Sequence, residues 1–480
     1  MHVSQMRVRN AFAAVVMSAL VVGTTGNAHA ADRFVSTAGS DTANDCQTSG
    51  SPCRTVGYAL TQAASGDTVK VAGGTYVENI GIDFPTSLAL SGGWTADFAV
   101  RDPAVNPTVV EGGLQADAGL GETVVVTVEG FSFFVKGATG GDPTVGANTS
   151  GDGVLTLALA NCAVQGKVRH GRRPGVGVSA RSSGTGFTDL SLSDCLVEGH
   201  RVGVVGVSVE TGTVQIAVTD STIRRNAFAG GVSVISGDSA TLSLALTDSA
   251  ITRNGSRGFF PTPDRFAGGG LTAHVVDAGS MSIDLTGCTL SRNRTTAAGG
   301  GIYVFSGGSG PLDMTLTNSA VIANRAPAGG GIDLAGFTSS FAVELTNVTI
   351  SANRARSGGG GVSVEPFTAN TTIDLLNTIL WGNLASTGAD LRVGDSGSAA
   401  VNADHSDIGE VVMTSGTFND LGGNINANPL LVNPGLNFHL TAGSPCIDTG
   451  TCTGAPTTDF EGDPRPTGAS CDMGADEFVP

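Results

Sequence analysis

Arginine side chains recur at one place in the repeats of this 480-residue chain. From Ala163 to Gly361, the segments between two recurring strand motifs hold fifteen basic residues and only two acidic ones, Glu198 and Asp264. The basic residues are Lys167, Arg169, Arg172, Arg173, Arg201, Arg224, Arg225, Arg253, Arg257, Arg265, Arg292, Arg294, Arg325, Arg354 and Arg356. Guanidinium groups bind carboxylates and sulfates through paired hydrogen bonds. We therefore expect these fifteen residues to form a basic edge that binds an acidic polysaccharide or a cell-surface glycan.

Two neighbouring features extend this hypothesis. His170 and His200 lie at the N-terminal end of the basic edge, where protonation below about pH 6.5 would strengthen it. A longer repeat, from Gly255 to Phe266, places Phe259 and Phe260 beside charged residues, an arrangement that suits stacking on sugar rings. Two other interpretations stay open. In the first, the loop folds on its own aromatic rings. In the second, the charged edge only discourages lateral strand pairing.

Composition and charge exclude several classes of protein. Apolar residues make up 40% of the chain and charged residues 14%, so it is not a disordered polyelectrolyte. Residues 1–30 have the basic start, apolar run and Ala28-His29-Ala30 site of a signal peptide. Without Arg7 and Arg9, 23 basic residues oppose 42 acidic ones, a net charge of −19 that argues against nucleic-acid binding. We expect a protein that is secreted, on the cell surface or periplasmic, with no further membrane-spanning segment.

An internal repeat determines the predicted architecture. Eight segments of the type L-x-L-T-[ND] align without gaps at intervals of 26 to 39 residues, about 31 on average. Their reference positions are Cys162, Cys195, Ser221, Ser249, Cys288, Ser319, Val348 and Thr378. Apolar residues alternate within each segment, and glycine pairs precede another short strand in successive repeats. The pattern predicts an all-β, single-stranded right-handed parallel β-helix of about 10 to 12 coils.

Two columns of asparagine and aspartate follow the period of the repeat. The first contains Asn161, Asp194, Asp220, Asp248, Asn318, Asn347 and Asn377. The second contains Asn226, Asn254, Asn293, Asn324, Asn353 and Asn383. Both residue types accept left-handed corners, and stacked amides can hydrogen-bond from coil to coil. We interpret both columns as structural, although three consecutive aspartates are also the best calcium arrangement in the repeats.

The eight cysteines divide into two groups. Cys46, Cys53, Cys446, Cys452 and Cys471 lie near the two ends, where export permits disulfides, and we expect all five to take part in disulfide chemistry. The pairing among the last three stays open. Cys162, Cys195 and Cys288 occupy equivalent repeat positions and behave as small buried residues, with a Cys162–Cys195 bridge as the alternative.

Motifs at both ends resemble those of a known superfamily. The N-terminal motifs are Phe34-Val35-Ser36, Pro52-Cys53-Arg54-Thr55, Gly66-Asp67-Thr68-Val69 and Gly74-Thr75-Tyr76-Val77-Glu78. The C-terminal motifs are Gly443-Ser444-Pro445-Cys446-Ile447-Asp448, Gly462-Asp463-Pro464-Arg465 and Asp472-Met473-Gly474-Ala475-Asp476-Glu477. They are similar to the cap, first coil and closing segment of secreted bacterial β-helix proteins of the pectin-lyase-like superfamily. The repeats also resemble those of polymorphic outer-membrane adhesins, without the membrane barrel that ends those proteins.

The resemblance implies a division of the chain and a range of functions. The expected divisions are a signal peptide at 1–30, a cap with a short helix and the first coils at 31–110, repeats at 111–393, and the last coils with a closing segment at 394–480. Because the superfamily mixes lyases, hydrolases and adhesins, fold does not define activity. We expect a non-catalytic protein that binds acidic polysaccharide or acts as an adhesin. The alternatives are a polysaccharide lyase or glycoside hydrolase, for which no catalytic residue can be assigned, and a passive structural protein.

No cofactor is expected from the sequence. The tail motif Asp459-x-Glu461-x-Asp463 places oxygen ligands two residues apart, as a calcium loop does, but it lacks the rest of that pattern. Arg465 is available to pair with Asp463 instead. We therefore expect no resident metal ion, with calcium as the alternative.

Overall fold

The chain forms a right-handed parallel β-helix with three main faces. The computed structural model describes residues 30–136, 143–167, 173–256, 268–336, 341–366, 370–394 and 397–480. Each coil runs through faces 1, 2 and 3 in turn, and strands of successive coils pair in parallel. The third face is a sheet of 12 strands, which confirms the prediction of about 10 to 12 coils and the resemblance to β-helix proteins at the level of the fold.

The strands lie on four surfaces of the β-helix. Face 1 consists of Asp32–Val35, Thr68–Ala72, Thr86–Trp94, Thr123–Glu129, Val154–Ala160, Phe187–Ser193, Thr213–Thr219, Thr241–Thr247, Ser280–Thr286, Leu312–Ile322, Phe341–Ser351, Asn370–Leu376, Ser398–Asp404 and Thr417–Gly422. Face 2 consists of Gly74–Tyr76, Thr108–Val110, Phe131–Lys136, Ala163–Lys167, Leu196–Glu198, Thr222–Arg224, Ala250–Thr252, Thr289–Ser291, Ile379–Trp381 and Asp407–Ile408, together with the second halves of Leu312–Ile322 and Phe341–Ser351. Face 3 consists of Ile80–Ile82, Leu114–Ala118, Val145–Thr149, Val176–Ser182, Val202–Ser208, Val232–Ser236, Leu271–Val275, Ile302–Ser306, Ile332–Gly336, Val362–Pro366, Leu391–Val393 and Val411–Met413. A small sheet between faces 2 and 3 consists of Ala227–Phe228, Gly255–Ser256 and Arg294–Thr295.

Alternation of apolar residues forms the core. In Thr241–Thr247, the side chains of Leu242, Leu244 and Leu246 point inward and are buried. The register places Leu244 opposite Ile216 on one side and Ile283 on the other, so each core position repeats down the stack. Burial of apolar surface contributes about 25 cal/mol per Å². The repeated aliphatic columns therefore stabilise the fold with few aromatic residues.

The second asparagine column is a continuous hydrogen-bonded ladder inside the corner that follows face 2. The Oδ1 atom of Asn254 accepts from the backbone N–H and from Nδ2 of Asn226, at 3.0 and 3.1 Å. The same pattern continues through Asn383, where Asp390 accepts the last pair of bonds. All six asparagines are buried. Their structural interpretation is confirmed.

The first column lies at the corner between faces 1 and 2. Its members have φ between 45° and 52°, the left-handed region that asparagine and aspartate tolerate. Asp194, Asp220 and Asp248 are exposed, whereas Asn318, Asn347 and Asn377 are buried. Asn161, the first member of the column, is exposed as well, so the match between residue type and exposure holds only from Asp194 onward.

The N-terminal end is closed by a short helix and a disulfide loop. The helix Val56–Gln62 begins at Thr55, whose side chain accepts from the backbone N–H of Tyr58, as an N-cap residue does. Cys46 and Cys53 form the predicted disulfide, and both are buried.

The C-terminal tail, residues 426–480, packs along face 2 instead of across the end of the stack. Its antiparallel strands are Leu431–Asn433 and Asn437–Leu440, and Phe438 packs against Ala320 and Ile322. The amide of Asn347 donates to the carbonyl groups of Asp472 and Gly474, at 3.2 and 3.1 Å. The tail therefore binds the neutral part of the first column.

Two expectations about the tail are wrong. Cys452 pairs with Cys471, but Cys446 is a free buried thiol that donates to Asp407 at 3.4 Å. Arg465 does not pair with Asp463. Its buried guanidinium binds Glu477 at 2.8 Å and three backbone carbonyl groups, because the surrounding chain leaves no solvent to satisfy it.

The last strand of face 1, Thr417–Gly422, is exposed along its whole length. Its Phe418 and Asp420 stand opposite the core residues Val401 and Ala403 of the preceding coil. A carboxylate at a core position disfavours stacking of another apolar layer. Asp420 therefore ends the core at a place where the tail does not cover it.

Candidate functional site

The basic edge lies on the corner that joins faces 2 and 3. In the six coils from Asn226 to Asn383, the chain leaves face 2 through one residue in the left-handed region, followed by an inward asparagine and then by an outward residue. The ladder holds the inward asparagine in each of these coils and so fixes the two flanking positions. Arginine fills both flanking positions in the coil of Asn293, as Arg292 and Arg294. The sequence therefore builds two parallel arginine ladders, one on each side of the asparagines.

The first arginine ladder consists of Arg225, Arg253 and Arg292. All three have φ between 54° and 56°, and Arg225 and Arg253 are exposed. The same position is Ala323 and Ala352 in the next two coils. There the tail lies close, since a Cβ on Gly435 would be 3.7 Å from both alanine Cβ atoms. Arginine therefore occupies this position in the three coils before the tail contact and alanine in the two that the tail approaches.

The second arginine ladder consists of Arg294, Arg325 and Arg354, all of them exposed. Parallel bridges connect Arg294 to Arg325 and Arg325 to Arg354, so the three side chains are in register on adjacent coils. Strands of a sheet lie about 4.8 Å apart, which sets the spacing of these guanidinium groups. Arg356 is exposed two residues further on, and a depression of about 70 Å³ lies between Arg294, Arg325 and Arg356.

Most of these guanidinium groups have no acidic partner. Within the part of the chain that the structure describes, no ion pair involves Arg253, Arg292, Arg294, Arg325, Arg354 or Arg356. Three like charges in register repel one another, and a bound anion relieves that repulsion. The ladders are therefore suited to bind an extended chain of carboxylates or sulfates.

Glu198 partly neutralises the N-terminal end of the corner. Its Oε2 atom lies 2.8 Å from Nε of Arg224 and 3.8 Å from a terminal nitrogen of Arg225. Its other oxygen accepts from Gln165 of the preceding coil at 3.0 Å. Arg201 is also engaged, since its guanidinium lies 4.1 Å from the ring centroid of Phe228. The free charge therefore concentrates from Arg253 onward.

His200 does not belong to the surface of the basic edge, so that prediction is wrong. It occupies the ladder position of the asparagines, and its backbone N–H donates to Oδ1 of Asn226 at 3.0 Å. Its ring is buried, with Nε2 3.1 Å from the Thr144 hydroxyl. Burial, reinforced by the charge of Arg173, lowers the pKa of His200 to about 4. It therefore stays neutral at the pH where we expected it to strengthen the edge.

Several predicted site residues lie outside the described residues. They are Arg169, His170, Arg172, Arg257, Phe259, Phe260 and Arg265. The described Arg173 donates to the backbone carbonyl of Arg225 at 2.8 Å and so joins the corner. Lys167 is exposed at the end of its face 2 strand. The aromatic sugar-stacking loop thus stays a prediction from the sequence.

Face 2 is open between the loop at residues 95–107 and the tail. A groove of about 580 Å³ runs here, lined by Pro103 and Pro107 at one end and by Arg224 on the basic side. Asp194 and Asp220 line its opposite side. Partial desolvation, reinforced by the charge of Asp220, raises the pKa of the next carboxyl in this column, the largely exposed Asp248. The groove therefore separates an acidic corner from a basic corner.

The groove also settles two cysteine alternatives. Cys162 and Cys195 line its floor as free thiols, and Cys288 is free and buried as well. Each thiol donates to a backbone carbonyl of its own coil, at 3.2 Å in Cys162 and Cys195. The interpretation of these residues as small, buried and unbridged is confirmed.

A second polar cluster, on face 3, was missed from the sequence. The register stacks Tyr303, Asp333, Ser363 and Arg392 in one outward column. Arg392 also forms an ion pair with Glu365, and His274 packs edge-on against Tyr303. In the sequence, Tyr303, Asp333 and Ser363 each lie two residues after a glycine pair, but Arg392 does not, and the residue type changes from coil to coil.

Asp333 is the most perturbed group of this cluster. It is buried, and its Oδ1 atom has no hydrogen-bond partner among the described residues. Burial raises the pKa of Asp333 to about 7, with Glu365 adding to the shift, while the Ser363 hydroxyl and Arg392 oppose it. A buried carboxyl group with a raised pKa, near a second carboxylate and an arginine, has the composition of an acid–base site.

The carboxylates of the tail motif do not form the calcium loop considered from the sequence. The Oδ1 atom of Asp459 accepts from the backbone N–H groups of Glu461 and Asp463, both at 2.8 Å. Its Oδ2 atom accepts from the backbone N–H of Glu477 at 3.0 Å. Asp459 therefore organises the turn with both oxygens, and Glu461 faces a histidine instead.

Comparisons with known proteins give the following matches. Residues 37–131 match the family described as "Protein of unknown function (DUF1565)". Two similar solved structures are the crystal structure of pectate lyase Pel9A, at 13% identity and a TM-score of 0.37, and the complex structure of XylC with xylose, at 10% identity and a TM-score of 0.44. Both alignments cover 93% of this chain, and they cover 96% and 98% of the other chains. No curated protein matches the sequence. Among the described residues, no helix is long and apolar enough to cross a membrane.

Proposed function

We propose that this protein is secreted or held at a cell surface, where it binds an acidic polysaccharide along the two arginine ladders without chemical turnover. One observation carries the proposal. Among the described residues, Arg253, Arg292, Arg294, Arg325, Arg354 and Arg356 present six guanidinium groups without an ion-pair partner on consecutive coils, in a chain whose net charge is −17. A charged edge that served only to keep the protein soluble would not require charges of a single sign.

Rigidity supports the same function. The buried asparagine ladder holds the backbone of every corner, so the guanidinium groups start from fixed positions. Binding then orders only the arginine side chains, which lowers its entropic cost. A regular polymer with one charge per sugar can meet such a row at several points, and this multivalency raises the affinity. Adhesion to a glycan-coated surface follows from the same contact.

Charge-matched variants test the proposal. We expect Arg253→Gln combined with Arg292→Gln to elute from an immobilised polyuronate or heparin matrix at lower salt than the parent protein, because exposed ion pairs are screened by salt. Arg54→Gln combined with Arg181→Gln removes the same charge from exposed positions away from the corner and serves as the control. Equal elution of the two double variants contradicts the proposal.

A second candidate function, polysaccharide cleavage, is favoured by the cluster around Asp333. Lyases and hydrolases need an acid–base group, and the raised pKa of Asp333 suits it to hold a proton near neutral pH. Glu365 supplies a second carboxylate, and Arg392 is a cation next to both. If this function is correct, the polysaccharide is a substrate as well as a ligand.

Incubation with uronate polymers distinguishes the two functions. Cleavage would produce new reducing ends or unsaturated sugars, and Asp333→Asn would abolish their formation. Asp313→Asn removes an exposed carboxylate of face 1 and is the control. Binding without new ends supports the first function alone, and no signal in either assay indicates a passive structural protein.

A further inference from the structure

Three metal-ligating side chains converge in the C-terminal tail. They are His439, Glu461 and Asp476, and their donor atoms all lie within 4.8 Å of one another. Nε2 of His439 is 3.0 Å from Oε2 of Glu461 and 3.9 Å from Oδ1 of Asp476. The three residues come from a strand and two separate loops, so the fold of the tail brings them together.

Asp476 gives an independent indication of a cation. Its side chain is only 9% exposed. Its Oδ2 atom accepts from the backbone N–H of Leu440 at 2.7 Å, but no hydrogen bond to Oδ1 is found among the described residues. The Oδ1 atom faces His439 and Glu461 and lies 3.9 Å from Nε2 of His439. A carboxylate on a largely buried side chain is costly without a close cation, and a cation between the three side chains removes that cost.

The distances fit a small, four-coordinate ion. Zinc binds imidazole nitrogen and carboxylate oxygen at about 2.0–2.2 Å, which places tetrahedral ligand atoms about 3.4 Å apart. The observed separations of 3.0 and 3.9 Å lie on either side of that value. Small rotations of the half-exposed His439 and Glu461 side chains are enough to equalise them.

We propose that His439, Glu461 and Asp476 bind one zinc ion, with water as the fourth ligand. One imidazole with two carboxylates favours zinc and its late transition-metal neighbours over magnesium or calcium, which prefer oxygen ligands alone. Asp459 is not a ligand, because both of its oxygens accept backbone hydrogen bonds.

Such an ion would tie together the parts of the tail that cover face 2. His439 belongs to the strand Asn437–Leu440, whose Phe438 and Leu440 pack against the coils. Asp476 follows Ala475, whose backbone N–H donates to the Thr349 side chain at 3.0 Å. The metal therefore joins two docking points of the tail.

Equilibrium dialysis of the full chain against ZnCl₂ tests the proposal. We expect one zinc ion per chain, and at least about a tenfold weaker affinity in His439→Gln, since even the loss of an outer partner of a metal ligand costs that much. His405→Gln is the matched control. His405 is equally exposed and also contacts a carboxylate, Asp404 at 2.6 Å, but it has no second acidic partner among the described residues.

The outcomes are decisive in each direction. One zinc ion in the parent and in His405→Gln, together with its loss in His439→Gln, supports the site. No saturable zinc binding by the parent, or equal binding by both histidine variants, overturns it. If circular dichroism shows that His439→Gln does not fold, Glu461→Gln replaces it, because the half-exposed Glu461 leaves the buried contacts of Asp476 intact. Calcium binding in place of zinc also contradicts the proposal.

Discussion

The residue type at one repeat position depends on what covers that position in each coil. The same repeat position holds Arg225, Arg253 and Arg292 in three coils and Ala323 and Ala352 in the next two. All five have the same backbone conformation, so the difference lies in what the side chain meets. Where the tail packs closely on the corner, a small residue is needed. Where the tail does not cover the corner, arginine occupies the position. The repeat position alone therefore does not predict the function of a residue, which also depends on whether the C-terminal tail covers that position.

The buried Asp333 makes the local stability of its strand depend on pH. The pKa of Asp333 is raised from 3.8 to about 7, so the folded protein keeps a proton that the unfolded chain loses. The free energy of unfolding therefore decreases as the pH rises from about 4 to about 8. Three pH units correspond to roughly 4 kcal/mol for a fully buried group. We expect hydrogen exchange of the strand Ile332–Gly336 to accelerate more between pH 5 and pH 8 in the parent than in Asp333→Asn, after correction for the intrinsic rate.

The exposed Asp313→Asn variant is the reference for this measurement. It should retain the pH dependence of the parent, because its carboxylate is solvated in the folded and the unfolded chain. An identical pH dependence in Asp333→Asn would show that Asp333 is ionised without cost in the folded protein.

At the scale of elements, the tail and the first column depend on each other. Asn318, Asn347 and Asn377 are neutral where the tail binds, and Asp194, Asp220 and Asp248 are charged where it does not. An amide can donate to the carbonyl groups of the tail, and a carboxylate cannot. From Asp194 onward, the change from aspartate to asparagine therefore coincides with the boundary of the docked tail.

Asn347→Asp tests this dependence. The new carboxylate would face the carbonyl oxygens of Asp472 and Gly474, which now accept from the Asn347 amide. A buried charge without a partner costs about 3–5 kcal/mol. We expect faster proteolysis within residues 426–480 in this variant. Asp248→Asn, at the exposed part of the same column, should leave the tail as resistant as in the parent, and equal sensitivity of the two variants would contradict the account.

For the whole molecule, the sequence was sufficient to predict the coils and their corners. The intervals between the L-x-L-T-[ND] segments give the coil length, and the asparagine column forms the ladder from Asn226 to Asn383 because one asparagine recurs in each of these coils. Features that do not repeat with the coil period could not be predicted from the sequence. His200 replaces an asparagine of the ladder and so is buried, and Cys446 is free because the tail turns its thiol toward Asp407.

The same limit applies to the two clusters that lack a motif. The column from Tyr303 to Arg392 combines different residue types on neighbouring coils, and only the strand register brings them together. His439, Glu461 and Asp476 are separated by up to 37 positions in the sequence and meet because the tail folds back on itself. Contacts of this kind depend on tertiary packing, which local patterns do not specify.

Binding of uronate oligosaccharides of increasing length to the whole protein tests the central claim most directly. If the arginine ladders bind an extended polymer, the Kd falls as the oligosaccharide grows to span several coils, and it rises steeply with salt. Arg325→Gln combined with Arg354→Gln should raise the Kd about five- to thirtyfold, since two exposed ion pairs contribute about 0.5–1 kcal/mol each. Arg54→Gln combined with Arg181→Gln should bind as the parent does. A Kd that does not depend on oligosaccharide length, or that is the same in both double variants, would contradict the account.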